Sequence, residues 1–600
     1  MRSKTSFFNR GLSKNLLARC SPLFGLWLGV LIFCLPVNLS GEISRYLKFG
    51  VVTHAPDWSA DVLNQGIECS RYAFLFCLAA ALGMFSFLYT ARGSGMIASL
   101  PIKRESVFVT CFLTGLVPLL LIEALTAAVT VLVVRGSGLI DSVYVWKWLW
   151  MAFSSTVAFY GMAVFCAMLT GSTVILPLVY IALNLAAYLA HAGIGITLEA
   201  LLYGFQFRES KLFTRLSPVA GLGTVSVDVS PFGEPTVRNG ELFGYYLIAG
   251  LVLSVCALLL YKKRRMESAG DIVAIKALKP VFKYGMALGG ACLLASVMYA
   301  ASNSSVSGTA VILCLLPGGF IGYFAAEMLL NKTVSVFRGH WKGFIFFSFF
   351  IILLATCCEI DLFGYEKKVP DSAEIKSVAV EYGGETVFKE PENVEKVTAL
   401  HRQIIESKAV NEENSSEYDA IGLIYTLKDG STLSRSYVLS RFVPGTEETN
   451  PDLIALENVI NAPEAIKSRR EFPAGCTLDD LAQCSILGYY MAEDGTQQEQ
   501  HYTLTDREAA DFYHNCILPD AEDGTMLRLW PVQGKEYNAA RSTLRISFAF
   551  RRGTDASRWK EFILYTDAKR CCQWIEENTP LIIQSIGEAE EAVVYPVPVE

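Results

Sequence analysis

Residues 107–134 read VFVTCFLTGLVPLLLIEALTAAVTVLVV, and Glu123 is the only charged side chain among them. A helix rises about 1.5 Å per residue and the hydrocarbon core of a bilayer is about 30 Å thick, so roughly 20 apolar residues suffice to cross it. A helix at the surface of a water-soluble core keeps one polar face. This stretch has none, and it reads as a membrane-spanning helix. Runs of the same kind recur at 22–40, 69–90, 146–170, 173–194, 242–261, 286–301, 309–330 and 344–358. The predicted fold class is therefore a polytopic α-helical membrane protein of about nine spans, with the lipid bilayer as its first partner.

The apolar excess stops near residue 358. The rest, 359–600, has the composition of a water-soluble α+β domain, so the 600-residue chain has at least two domains. The net charge of −7 argues against nucleic acid as a partner. Cys476, Cys484, Cys516, Cys571 and Cys572 are scattered through the soluble part, odd in number and without zinc spacing, which reads as free thiols and no metal. Arg2, Lys4, Arg10, Lys14 and Arg19 precede the first run, which lacks a small-x-small cleavage pattern and is taken as a retained helix.

Orientation follows the basic loops. Arg92, Lys103 and Arg104 follow the second span. Lys262, Lys263, Arg264, Arg265, Lys276, Lys279 and Lys283 follow the sixth. Lys332, Arg338 and Lys342 follow the eighth. All fall on one side if the amino terminus is cytoplasmic. An odd number of spans then places the carboxy-terminal domain outside the cytoplasm.

The most specific stretch joins spans two and three: an aromatic run ending in Tyr89, a turn of small residues, then Met96-Ile97-Ala98-Ser99-Leu100-Pro101-Ile102-Lys103-Arg104-Glu105. It is a short amphipathic element between two rigid spans. In this loop the chain resembles the permease subunits of bacterial ABC type-2 exporters, over roughly residues 3–265. The resemblance includes a basic amphipathic amino-terminal segment (1–21) and a six-span core (22–265). It implies that Met96, Leu100, Pro101, Ile102, Lys103, Arg104 and Glu105 form the coupling element that docks on a separate ATPase chain. The apolar segment 197–240 between spans five and six reads as an interfacial or re-entrant helix; the resemblance implies the re-entrant form, and assembly with a second permease copy or a paralogue. Three further spans (266–358) and the soluble domain lie beyond the resemblance.

No Gly-x-x-x-x-Gly-Lys-Ser/Thr occurs, so the chain has no Walker A loop to cradle nucleotide phosphates. No cofactor and no catalytic constellation is predicted, and the chain is read as a non-enzyme whose ATP hydrolysis resides on its partner. Acids inside spans are candidates for function. Glu123 reads as a protonated acid, as an interhelix hydrogen bond with a polar group such as Asn184, or, together with Asn184, as part of a translocation path. Glu327, near the end of the eighth span, is placed close to water, and His191 at the membrane interface.

The tail reads as two β-α-β-β-α modules, about 370–465 and 475–580, with a hairpin turn at Asp429-Gly430 and a helix start at Thr505-Asp506-Arg507-Glu508. The function expected is a membrane permease subunit of an ATP-driven exporter with unknown substrate. The rival is a membrane sensor or accessory protein whose soluble domain binds a ligand or partner.

Overall fold

The computed structural model describes residues 8–49, 58–99, 101–228, 235–264, 270–301, 308–337, 339–412, 418–443, 446, 448–472, 476–492, 496–529, 541–550 and 559–585. Among these, nine helical runs are long and apolar enough to cross a bilayer. The chain is a multi-pass membrane protein with a soluble α+β region, and it divides into two compact units. The first comprises Met1–Thr197, Arg208–Val297 and Leu313–Ile352, the second Leu198–Phe207, Met298–Ile312 and Leu353–Glu600.

The first unit opens with α1 (Arg10–Ile32), which passes through a π turn at Phe33–Val37 into α2 (Asn38–Phe49). Pro36 lies in that turn, where its missing N–H and its ring explain the widened turn. Of the basic amphipathic segment expected over 1–21, residues 10–21 form the start of α1, and residues 1–7 lie outside the described residues. The second span, α3 (Trp58–Met84), starts at Trp58 rather than at 69. A 3₁₀ turn (Ser86–Tyr89), α4 (Ala91–Ser99), α5 (Arg104–Ser137), α6 (Ser142–Leu169) and α7 (Ile175–Leu201) follow.

The connection expected to be re-entrant holds α8 (Lys211–Leu216), α9 (Pro218–Gly223) and a small hairpin, β1 (Ser226–Asp228) with β2 (Thr236–Arg238). Then come α10 (Glu241–Lys263), α11 (Lys279–Ala301), α12 (Gly308–Asn331) and α13 (Trp341–Glu359).

Helix α6 is the hub and packs on α3, α5 and α10. A Cβ on Gly161 would meet the Gly250 carbonyl oxygen at 2.3 Å, and one on Gly250 would meet Ala158 Cα at 2.5 Å, so α6 and α10 touch backbone to backbone. Lipid removes the hydrophobic drive between helices, and close packing of this kind holds them together instead. Gly290 on α11 and Gly318 and Gly322 on α12 make a second such crossing. Beside it Glu327 is buried, is paired with Lys283 at 3.0 Å and accepts from Asn331 Nδ2 at 3.0 Å.

The second unit holds two modules of the same topology. The first is β3 (Ile375–Glu381), β4 (Glu385–Phe388), α14 (Pro391–Glu406), α15 (Lys408–Glu412), β5 (Tyr418–Leu427), β6 (Thr432–Ser440), α16 (Pro451–Ile460) and α17 (Pro463–Arg470). The second is β7 (Leu481–Met491), β8 (Gln497–Leu504), α18 (Asp506–Phe512), α19 (Leu518–Glu522), β9 (Arg541–Phe550), β10 (Trp559–Tyr565) and α20 (Lys569–Asn578). The antiparallel sheets run β4-β3-β5-β6 and β10-β9-β7-β8. Numbered within each module, both are 2-1-3-4. The predicted duplication is therefore seen at the level of strand order. Each unit begins with a hairpin rather than a single strand, so the repeat is ββαββα. Asn461 joins the modules by reciprocal hydrogen bonds with the Leu529 backbone, both at 2.9 Å.

Candidate functional site

Of the predicted coupling element, Arg104 and Glu105 open α5, Pro101, Ile102 and Lys103 precede them, and Met96 alone of its described residues lies on the short helix α4. Thr90 caps it, accepting from Gly93 N at 3.2 Å, and Ser94 Oγ donates back to Thr90 O at 3.0 Å. Gly93 is required there, because a Cβ would lie 3.0 Å from the Phe87 backbone and 2.7 Å from Thr90 Oγ1. Ser94 and Ile97 are buried, while Arg92, Gly95, Met96 and Ser99 are exposed; Met96 is 63% exposed. Isolated exposed apolar side chains are ordinary on a protein surface. On the exposed face of a short helix rooted on its other face, Met96 is presented for contact.

The root of α4 is a convergence of chain ends. Arg264, just beyond α10, is buried. Its guanidinium donates to the carbonyls of Ala167 (2.7 Å) and Met168 (3.3 Å), in the last turn of α6, and to that of Leu88 (3.4 Å) in the turn before α4. The last four carbonyls of any helix lack intrahelical donors, and a cation there also meets the negative end of the helix dipole. Arg104 donates to the carbonyls of Lys262 and Arg264, at 3.4 and 3.2 Å. Glu105 pairs with Lys262 at 2.8 Å, and Arg19 of α1 donates to Ser86 Oγ at 2.7 Å. The segment after α10 closes the same end: Ala274 N donates to Leu169 O at 2.8 Å, Gly171 N to Asp271 O and Gly270 N to Gly171 O, both at 2.7 Å.

Of the seven residues predicted to couple, Met96, Pro101 and Lys103 are exposed and Ile102 is half-buried. Arg104 and Glu105 instead bind the end of α10. Leu100 lies outside the described residues.

Glu123 is fully buried. Thr156 Oγ1 of α6 donates to its Oε1 at 2.5 Å, and its Oε2 has no hydrogen-bond partner among the described residues. The interhelix bond expected of Glu123 is thus with Thr156. Asn184 is also buried, and its Nδ2 donates to Tyr180 O of its own helix at 2.8 Å. An ionised Glu123 in this place would carry an uncompensated charge, which costs several kcal/mol. His191 stacks on Phe213 at 4.6 Å and contacts Arg208 O at 3.2 Å.

No family model, curated protein or solved structure matches this chain.

In the second module the open face of the sheet forms a cleft of about 730 Å³, lined by Leu487, Tyr489, Glu499, His501, Arg541 and Arg545 among others. Its side chains carry both signs of charge and select no single ligand class.

Arg264 was not singled out by sequence reasoning. It sits in a basic run after an apolar helix, where every cation reads as a loop charge. Only the geometry separates the one turned inward to cap α6 from its exposed neighbours Lys262 and Lys263.

Proposed function

We propose that this chain is the permease subunit of an ATP-driven exporter, moved by a separate ATPase that docks on α4. The observation that carries the reading is α4 itself: a short helix with Met96 on its exposed face, whose root is tied through Arg264, Arg104 and Arg19 to α6, α10, α5 and α1. A push on that face reaches four spans through hydrogen bonds that leave little slack. With the amino terminus cytoplasmic, as the basic loops favour, α4 faces the compartment that holds ATP and the soluble modules face the other. Glu123, buried among α3, α5 and α6, is the polar group that opening of the core would rehydrate. It is the candidate residue of a translocation path, with Asn184 beside the same core.

Affinity purification of the tagged full chain from native membranes in mild detergent tests this. Recovery of a Walker A ATPase with the wild type and its loss with Met96→Asp is the expected result. Retention of the ATPase by Met96→Asp would remove α4 as the docking element. Absence of any ATPase from intact, recovered chain would overturn the permease reading in favour of a membrane sensor or accessory protein.

A further inference from the structure

Of the two upstream stretches that belong to the second unit, Leu198–Phe207 and Met298–Ile312, the first comes from farther up the chain. Leu198–Phe207, which begins in the last turn of α7, lies on the first soluble module. Tyr203 N donates to Glu366 Oε1 at 2.8 Å, and Glu366 Oε2 receives Lys408 Nζ at 2.8 Å. That ammonium also lies 5.4 Å from the centre of the Tyr203 ring. The same ring packs on Tyr437 of β6 at 5.1 Å, and its hydroxyl donates to Ile404 O of α14 at 3.4 Å. Next along the chain, Gly204 has φ +76°, and a Cβ there would lie 2.4 Å from the Tyr437 ring. Its carbonyl accepts from Ser436 N at 3.2 Å, which occupies part of the β6 edge. An open sheet edge is a template for pairing, and here the chain's own upstream segment takes it.

A second strap meets the first. After α13, Asp361 accepts from Tyr365 N and Glu366 N, at 2.5 and 3.1 Å, and so presents Tyr365 and Glu366 to the module. Tyr365 packs on Phe205 at 5.8 Å and lies beneath the Arg435 guanidinium at 3.9 Å. Arg435 is fully buried on β6 and donates to Tyr365 O at 2.9 Å.

We propose that residues 202–205 are a mechanical tether: the first soluble module grips the end of α7, so that a ligand or partner on the module bears on that helix, and movement of the helix is felt by the module. The proposal rests on the exporter reading only in naming movement of α7 as a transport step. Glu366 is its centre, joining Tyr203 of the upstream segment, Lys408 of α15 and the strap after α13. The only side chain that fits at position 204 is hydrogen, which makes that position the release point.

Hydrogen exchange on the full chain in lipid nanodiscs tests the tether without any ATPase. In Gly204→Val the amides of Ser436 and of Leu198–Leu201 are expected to exchange about tenfold faster together, the size of one net hydrogen bond near the top of its range. The β3–β5 ladder keeps wild-type rates. Tyr203→Ala, which deletes a ring from the module surface, gives the same pair of changes should Gly204→Val unfold the module. Tyr203→Phe, which keeps the ring, stays near wild type. Acceleration at Ser436 with the α7 end unchanged overturns the proposal, and so does an unchanged Ser436. Failure to recover an ATPase, with this exchange pattern intact, would remove the exporter reading and leave the tether.

Discussion

His401 occupies the core of the first soluble module, where the second module, with the same strand order, buries phenylalanines. The imidazole is fully buried between two tyrosine hydroxyls: Nδ1 is 3.0 Å from Tyr425 OH and Nε2 is 2.7 Å from Tyr437 OH. A neutral ring needs one donor and one acceptor, and a hydroxyl serves as either. On the corresponding helix of the second module Phe512 packs against Trp574 at 4.5 Å, and Phe548 meets Phe562 edge-on at 5.6 Å. The two cores teach different things about specificity. A polar core accepts one arrangement, since each group left unpaired costs desolvation. It also sets Tyr437 and Arg435 at the β6 edge, where the upstream segment is gripped. The second module places its buried polar group outside the aromatic cluster, where Asp520 accepts from Cys571 N at 2.9 Å and from Arg570 at 3.2 Å.

The largest effect that separates the modules is expected from Phe548→Ala. Phe548 is fully buried, with Phe472, Tyr513 and Phe562 around it. Truncating a core phenylalanine costs about 3–5 kcal/mol, a large share of the roughly 5–15 kcal/mol that holds a domain together. Hydrogen exchange on the full chain should show β7 and β9 losing protection while β3 and β5 keep theirs. Simultaneous loss in both sheets would make the modules one cooperative unit and end the comparison.

The next effect is one of pH. Burial, with Arg435 and Arg402 nearby, lowers the His401 pKa from 6.5 to about 3. The unfolded chain takes up a proton near pH 6.5 that the folded module refuses until about pH 3. The first module is therefore fully stabilised by this group above pH 6.5 and loses that contribution as pH falls toward 3. The loss is roughly 2 kcal/mol at pH 5. His401→Gln should flatten the pH dependence of β3 and β5 protection in this window, whatever it does to absolute stability. An unchanged slope in the variant would show that another group of the module titrates there.

How much of this was legible in the sequence depends on which physical signal each feature leaves. Apolar runs in lipid leave the strongest, and each of the nine helical runs among the described residues overlaps a run that composition marked, with ends shifted at the first, second and seventh. The Asp429-Gly430 turn is equally plain, since Gly430 takes φ +85° and Asp429 accepts from Ser431. Strands β4 and β8 were missed. Each lies at a sheet edge, and Gln497-Gln498-Glu499-Gln500-His501 has no apolar alternation to read. Tyr203 and Phe205 were read as part of an apolar membrane-surface segment, because aromatic side chains that face a protein and those that face lipid look alike in composition. Arg264 was hidden among loop cations. In each miss the deciding partner was far away along the chain, where local pattern carries no information.

The smallest expected effect concerns how the two modules start their first helices. In the second module Thr505 and Glu508 form a capping box, with Thr505 N donating to Glu508 Oε2 at 2.8 Å and Thr505 Oγ1 accepting from Glu508 N at 3.4 Å. In the first, Glu390 at the N-cap of α14 makes no side-chain cap bond. Glu464 of α17 does the work from a distance, accepting from Lys389 N at 2.7 Å and from Asn393 Nδ2 at 2.8 Å. A local cap stabilises one helix end, whereas a borrowed one ties two helices. Thr505→Ala should cost about 1 kcal/mol, the usual value of an N-cap, and be felt by the amides of the first turn of α18 alone. Glu464→Ala should cost a comparable amount at α14 and also loosen the start of α17, because the same carboxylate holds both. If Glu464→Ala leaves α17 protection untouched, the borrowed cap acts as locally as the capping box, and the difference between the modules narrows to their cores.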